Sequence, residues 1–343
     1  MAGRPTIHDV AKAAGVSVAT VDRVLNGRTK VREETARKVS EAANLIGYHA
    51  RNLIEQRLRA DLPVVRMGFI LQKEKQAFYQ NFRRYIEEEA LAAENFRVVP
   101  IVAFVTSQAP NEMAETMEGM IGKVDAIVAI AVNHPRVAEA VVRLKLNGVP
   151  VLSVLSDFAQ GERVGYMGTN NLKVGRTAAW MLATAARKPQ KIAMFVGGHR
   201  WHGHELRETG FRSFFREQAP QFQVLDTLVN LETRQLAMEA TLDLLARHPD
   251  LCGIYLAGGG MEGTIQALRD EREPGDVALV VNELTPESRL GLSDGYVTMV
   301  IGTPMREICR RSIEQVGRLV TDPDATIQGQ TFFDSVLSIA ESI

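Results

Sequence analysis

The sequence predicts an all-α helix-turn-helix head followed by an α/β body of two lobes, each a parallel sheet covered by helices. Three observations carry that prediction. The first fifty residues hold helical periods only, punctuated by Gly15, Gly27 and Gly47. From Pro63 onward, strand-length apolar runs alternate with amphipathic helical segments. The 343 residues exceed what one hydrophobic core organises, so the body divides in two.

In the head, Thr6 and Asp9 have capping-box spacing, and Val10, Ala11 and Ala14 follow with a helical period until Gly15. Ser17 is a good N-cap for a second helix, whose Val21, Val24 and Leu25 point inward and which Asn26-Gly27 ends. A third helix, from about Arg32 to Ile46, places Val39, Ala42, Ala43 and Ile46 on one face. Opposite the core residues of the second helix stand Ala19, Arg23 and Asn26, a stripe suited to a major groove. A helical protein-interaction module shares this pattern on geometry alone. Charge favours nucleic acid: residues 1–59 hold eleven Lys/Arg and six Asp/Glu, a net +5, which leaves −6 for the rest.

The expected divisions are a head over 1–49, a charged linker over 50–62 and the body over 63–343. Within the body, VVRMGFIL, RVVPIVAF, DAIVAIAV, VPVLSVL, KIAMFVG, CGIYLA, VALVVN and VTMVIG read as strands. The first lobe is expected over 63–165 plus 299–325, and the second over 166–298 plus 326–343. A late helix, 304–320, and one last strand, about 331–339, cross back between them.

Several classes are disfavoured. No uncharged apolar stretch reaches the roughly 18 residues of a membrane span, and MAGRPTIHDV lacks the apolar core of a secretory signal, so a cytoplasmic location is expected. Cys252 and Cys309 lie far apart in apolar runs and read as core thiols. His199, His202 and His204 with Glu205 have no regular ligand spacing, so no metal is expected.

The head also resembles a known family. Thr6-Ile7-x-Asp9-Val10-Ala11-x-x-Ala14-Gly15-Val16-Ser17-x-x-Thr20-Val21-x-Arg23-Val24-Leu25-Asn26 is similar to the DNA-binding signature of lactose-repressor (LacI/GalR) regulators. That family appends a two-lobed body of the periplasmic-binding-protein type. The resemblance implies that Val18, Ala19 and Arg23 face base edges and that Thr6, Ser17, Thr20 and Asn26 face phosphates. The chemistry agrees, because an Arg fork pairs with guanine while Val18 and Ala19 suit thymine methyls. Asp22 departs from the Ser of most relatives; it either orients Arg23 or accepts from a cytosine. In relatives a hinge helix wedges a Leu into the minor groove; here Arg57 and Leu58 are the two candidates.

In doubly wound lobes, ligands bind beyond the carboxyl ends of strands. Those loops offer Phe78 and Tyr79 as a stacking wall, Asp157, Asn170, and Trp201, His204 and Arg207. Arg207, before Gly210-Phe211, resembles the family's effector-binding Arg, and YMGTNNLKVGRTAA resembles relatives with sugar-type effectors. Asn282 and Glu283 end a strand where the family places an acidic sugar-hydroxyl ligand, while Thr303 replaces a common Gln. Gly258-x-Gly260-x-x-Gly263, with Glu283 twenty residues on, fits the dinucleotide fingerprint, although that belongs in a first βα unit and this one sits late. In the family this loop faces the effector, and its bared N–H groups suit an anion.

The expectation is therefore a cytoplasmic repressor of a catabolic operon, without a cofactor and not an enzyme. It binds a pseudo-palindromic double-stranded operator as a homodimer and answers to a sugar, polyol or sugar derivative. The rival readings are a nicotinamide-dependent oxidoreductase and a free sugar-binding protein.

Overall fold

The structure, a computed structural model, describes residues 4–26, 31–60, 62–327 and 329–343, with the side chains of 33 and 55–59 outside the description. The head begins with α1 (Ile7–Ala14), α2 (Val18–Asn26) and α3 (Glu33–Leu45), and α4 (Arg51–Ala60) follows. Gly15 makes the turn between the first two at φ 64°, ψ 34°, a left-handed backbone that a side chain would strain. Val10, Val21, Val39 and Ala43 form the centre of one small core, which Tyr48 and Ile54 complete. The linker is thus helical, and Ile54 on α4 is fully buried in that core.

The body runs β1 (Val64–Gln72), α5 (Ala77–Ala92), β2 (Arg97–Val105), α6 (Pro110–Glu118), β3 (Ala126–Ala129), α7 (Pro135–Leu146), β4 (Val151–Val154) and β5 (Gly165–Thr169). It continues α8 (Asn171–Ala185), β6 (Lys191–Val196), α9 (His202–Gln218), β7 (Gln223–Val224), β8 (Leu228–Val229), α10 (Arg234–Arg247) and β9 (Leu251–Leu256). Last come α11 (Met261–Glu271), β10 (Ala278–Asn282), α12 (Pro286–Ser293), β11 (Met299–Gly302), α13 (Met305–Thr321), β12 (Gln330–Phe333) and β13 (Val336–Ser338). One sheet has the order β12-β5-β4-β3-β1-β2, the other β13-β11-β10-β9-β6-β7 with β8 also on β6. The central strands are buried on both faces, so their sequences are continuous apolar runs rather than alternating ones.

Three sequence expectations need correction. The expected lobe boundary between 165 and 166 falls inside GYMGT, which is strand β5, fully buried and parallel to β4. The single last strand is two: β12 pairs parallel with β5 in the first sheet, and β13 pairs antiparallel with β11 in the second. Asp334-Ser335 between them carries the chain from sheet to sheet. Accordingly β11 belongs to the second sheet and β12 to the first, the reverse of the expected division at 299 and 326.

Candidate functional site

The head exposes one polar stripe. Thr6, Ser17, Ala19, Arg23 and Asn26 are exposed, while Val18 and Thr20 are half-buried. The capping box is formed: Thr6 donates from its backbone N (2.8 Å) and Oγ1 (2.7 Å) to Asp9 Oδ2. Ser17 Oγ accepts from Thr20 N at 3.2 Å and lies 2.8 Å from Thr20 Oγ1, so the two hydroxyls form one patch at the helix start. Asp22 accepts from Asn26 Nδ2 at 2.6 Å. Its partner in the structure is Asn26, one turn along the same face, rather than Arg23. Arg57 and Leu58 fall on α4, and their side chains lie outside the described residues.

In the body, a cleft of about 620 Å³ opens where loops from both sheets meet. Phe78, Tyr79, Trp201, His204, Arg207, Gly258, Gly260, Asn282 and Glu283 all line it. Nine residues scattered over some 200 positions converge because each stands at the carboxyl end of a strand or on the loop and helix start that follow it.

Arg207 projects from α9 and is fixed from both sides. Its Nε donates to Asn171 Oδ1 at 2.7 Å and its Nη1 to the Ala257 carbonyl at 2.5 Å. Two glycines let α9 come this close to α8. A Cβ on Gly175 would lie 1.9 Å from the Arg207 carbonyl oxygen, and one on Gly210 would lie 2.1 Å from that of Leu172. Glu283 stands at φ 73°, in the left-handed region, and takes Thr303 N at 3.1 Å and Thr303 Oγ1 at 2.5 Å on its two oxygens. Burial pushes its carboxyl above the ordinary range, against the Thr303 bonds and the nearby Arg207, which lower it. Burial likewise pushes the Tyr79 phenol up, so it stays a neutral donor and acceptor. The His204 imidazole is pushed down to about 4 by burial, although the neighbouring Glu232 carboxylate raises it. Because His204 Nδ1 accepts from Gly197 N at 3.2 Å, its proton sits on Nε2.

Two expected members are elsewhere. Asp157 is 3% exposed and saturated: Arg163, Ser153, Gln160 and Gln330 all donate to its carboxylate. Burial raises this carboxyl, yet the bonds from Arg163, Ser153 and Gln330 outweigh it and hold it below the ordinary range. It fastens β12 onto the first sheet. Asn170 caps α8, accepting from Lys173 N at 3.1 Å. Its neighbour Asn171 enters the cleft instead, because helix geometry turns successive side chains by about 100°.

Sequence reasoning missed Glu232, Lys73 and Asn171. Lys73, from the first lobe, donates to Leu231 O at 2.8 Å and lies 3.5 Å from Glu232 Oε2. No pattern marks Glu232; it arrives on a turn whose Leu231 and Glu232 both have left-handed backbones. The three histidines do not converge: His204 faces the cleft, while His202 pairs with Glu205 at 3.3 Å. The dinucleotide spacing also has internal explanations. Gly260 stands at φ 96°, and a Cβ on Gly263 would lie 2.0 Å from the Arg234 carbonyl oxygen.

Comparison with known proteins now decides the family. Residues 6–51 match the bacterial regulatory proteins of the lacI family, and residues 67–323 match the periplasmic binding protein domain. The chain joins a DNA-binding head of the lacI family to a body of the periplasmic binding protein family. This regulator is 27% identical over 257 residues to the sucrose operon repressor of Streptococcus mutans, covering 73% of this chain and 72% of that one. With the ribose operon repressor of Bacillus subtilis it shares 27% over 296 residues, 83% of each chain. Its body has the fold of an ABC transporter solute-binding protein from Agrobacterium vitis solved with α-D-tagatopyranose: TM-score 0.74, 20% identity, 81% of this chain and 95% of that one. Among the described residues, no helix of the regulator is long and apolar enough to cross a membrane.

Proposed function

We propose that this regulator is a cytoplasmic repressor of a catabolic operon, released from or held on its operator by an uncharged sugar or polyol in the 620 Å³ cleft. The carrying observation is the composition of that cleft. A fixed Arg207, the carboxylates of Glu232 and Glu283, and the aromatic Phe78, Tyr79 and Trp201 all line it. Sugar rings need such a mixture, since their C–H faces pack on aromatic rings and their hydroxyls both donate and accept. Relatives named for sucrose and ribose operons support the same class.

In this reading Arg23, Ala19 and Val18 read bases, and Thr6, Ser17, Thr20 and Asn26 hold phosphates, with α4 and its Arg57 and Leu58 at the minor groove. Two copies place two heads on a pseudo-palindrome. An effector acts by binding one arrangement of the lobes more tightly than the other, and only that differential shifts the operator affinity. The test is thermal unfolding of the full chain against neutral pentoses, hexoses and polyols, coupled to a gel-shift assay on operators selected from random DNA. A neutral sugar that raises Tm and changes operator affinity is the expected result. Selection that enriches no symmetric site would refute the operator part.

A further inference from the structure

The loop Gly258-Gly259-Gly260 leads into α11 with no side-chain cap, a helix start that attracts negative charge. In this protein the negative charge comes from the chain itself. Glu232 Oε1 accepts from Gly259 N at 3.4 Å and lies 3.8 Å from His204 Nε2, and Oε2 lies 3.5 Å from Lys73 Nζ. The glycines make room for it: Cβ atoms on Gly197, Gly258 and Gly259 would fall 2.4, 2.9 and 3.1 Å from Glu232 side-chain atoms. The turn that delivers it is held on several sides. Asn230 accepts from Glu232 N at 2.9 Å and donates to Gly259 O at 2.9 Å, while Gln76 Nε2 donates to Glu232 O at 3.3 Å.

A second, independent observation concerns what the ligand must offer. Trp201 is 4% exposed, lines the same cleft, and its indole N–H has no partner. A ligand that reaches both groups accepts from the Trp201 N–H and donates to the oxygens of Glu232. Hydroxyl groups do both, whereas an ionised carboxylate or a fully ionised phosphomonoester group only accepts. The cation nearest the loop already has its counter-charge, because Lys73 Nζ lies 3.5 Å from Glu232 Oε2, while Arg207 spends its Nε and Nη1 on Asn171 and Ala257.

The geometry points to Glu232 as the residue that sets the charge class of the effector: it is the resident anion of the glycine-rich loop and confines the cleft to uncharged polyhydroxy ligands. This deepens, and for the ligand class rests on, the assignment of the cleft as the effector site. An anion arriving at the loop meets a carboxylate about 4 Å away, and at an effective dielectric of ~20 the repulsion is worth on the order of 1,000-fold in affinity.

The experiment uses the full chain as wild type, Glu232→Gln and Glu232→Ala. Inorganic phosphate is titrated calorimetrically, and Tm is followed with ribose, glucose and their phosphates at matched ionic strength. The wild type takes up no phosphate saturably over the titrated range and ignores the sugar phosphates, while both variants bind phosphate saturably, with affinity raised on the order of 1,000-fold. Glu232→Gln keeps the shape and an acceptor for Gly259, so it reports on charge even if Glu232→Ala unfolds. Two results overturn the inference: wild-type protein stabilised by a sugar phosphate as strongly as by the neutral sugar, or folded variants that bind phosphate no better than wild type. If neutral sugars never shift the wild-type Tm while the variants do take up phosphate, the sugar assignment fails and the role of Glu232 stands.

Discussion

His204 makes acid sensitivity a quantitative test of the cleft. Its pKa is held at about 4 in the folded protein, chiefly by burial, against 6.5 for an ordinary imidazole. Arg207 and Lys73 push it the same way, and Glu232 opposes them. The sign follows directly. Above pH 6.5 the imidazole is neutral both folded and unfolded and contributes nothing to the pH dependence. Between pH 6.5 and 4 the unfolded chain takes a proton that the folded chain refuses, so stability falls as the pH falls. At pH about 5 the loss attributable to His204 is about 2 kcal/mol, approaching about 3 kcal/mol toward pH 4. His204→Asn removes the titration while leaving an oxygen for the Gly197 N–H. Urea unfolding followed by tryptophan emission, at pH 7.5 and pH 5.0 (~ two settings either side of the free imidazole), gives the comparison. The variant is less stable at the higher pH through lost packing, and its deficit shrinks by about 2 kcal/mol at the lower one. Parallel loss of stability in both proteins would show that the folded imidazole protonates freely and is not buried beside Gly197.

Arg207→Ala removes the charged bonds to Asn171 and Ala257 and any bond to a ligand; effector affinity in the Tm assay falls by about 10- to 150-fold, with operator affinity in a gel shift kept. Equal losses of both would make Arg207 a folding residue only. Gly175→Ala forces a methyl against the Arg207 carbonyl and costs about 3 kcal/mol or more in urea unfolding; a cost under about 1 kcal/mol would mean that α8 and α9 slide apart freely. Arg23→Ala costs about 1–3 kcal/mol on the selected operator and little on random DNA, measured by anisotropy at fixed salt. Losses that match on both DNAs would place Arg23 on phosphate.

Much of the architecture is readable in the chain because buried parallel strands must be continuously apolar and their helices periodic. KIAMFVG, CGIYLA and VALVVN could hardly be anything else. The end of the chain misled for a physical reason: β12 and β13 are edge strands, partly exposed, and no apolar pattern separates TFFDSVLS into two pairings. Cleft residues beside strand ends were equally legible, but single-residue rotations were not. Asn170 and Asn171 are chemically identical, and only the helix start between them decides which one caps and which meets Arg207. Asp157 misled because a carboxylate after a strand looks like a ligand group; its saturation by Arg163, Ser153, Gln160 and Gln330 depends on a residue 173 positions away.

The glycine-rich loop shows why composition alone underdetermines a site. Glycine says that something approaches the backbone closely or that φ is positive, and it does not say what approaches. In Gly258-Gly259-Gly260-Met261-Glu262-Gly263 the four glycines answer to three different causes. The first two clear the Glu232 side chain, the third turns the chain at φ 96°, and the last lets α10 lie against α11. A pyrophosphate would explain the same spacing with one cause, which is why the fingerprint looks complete. The carboxylate already bonded to Gly259 separates the two explanations, since one helix start does not hold two anions at contact distance without a cation between them. Lys73 is the nearest candidate for that cation, and it reaches across from the first lobe to grip the turn that carries Glu232. The anion of the loop and the tie between the lobes are therefore one structure, and a ligand that competes for Glu232 acts on both at once.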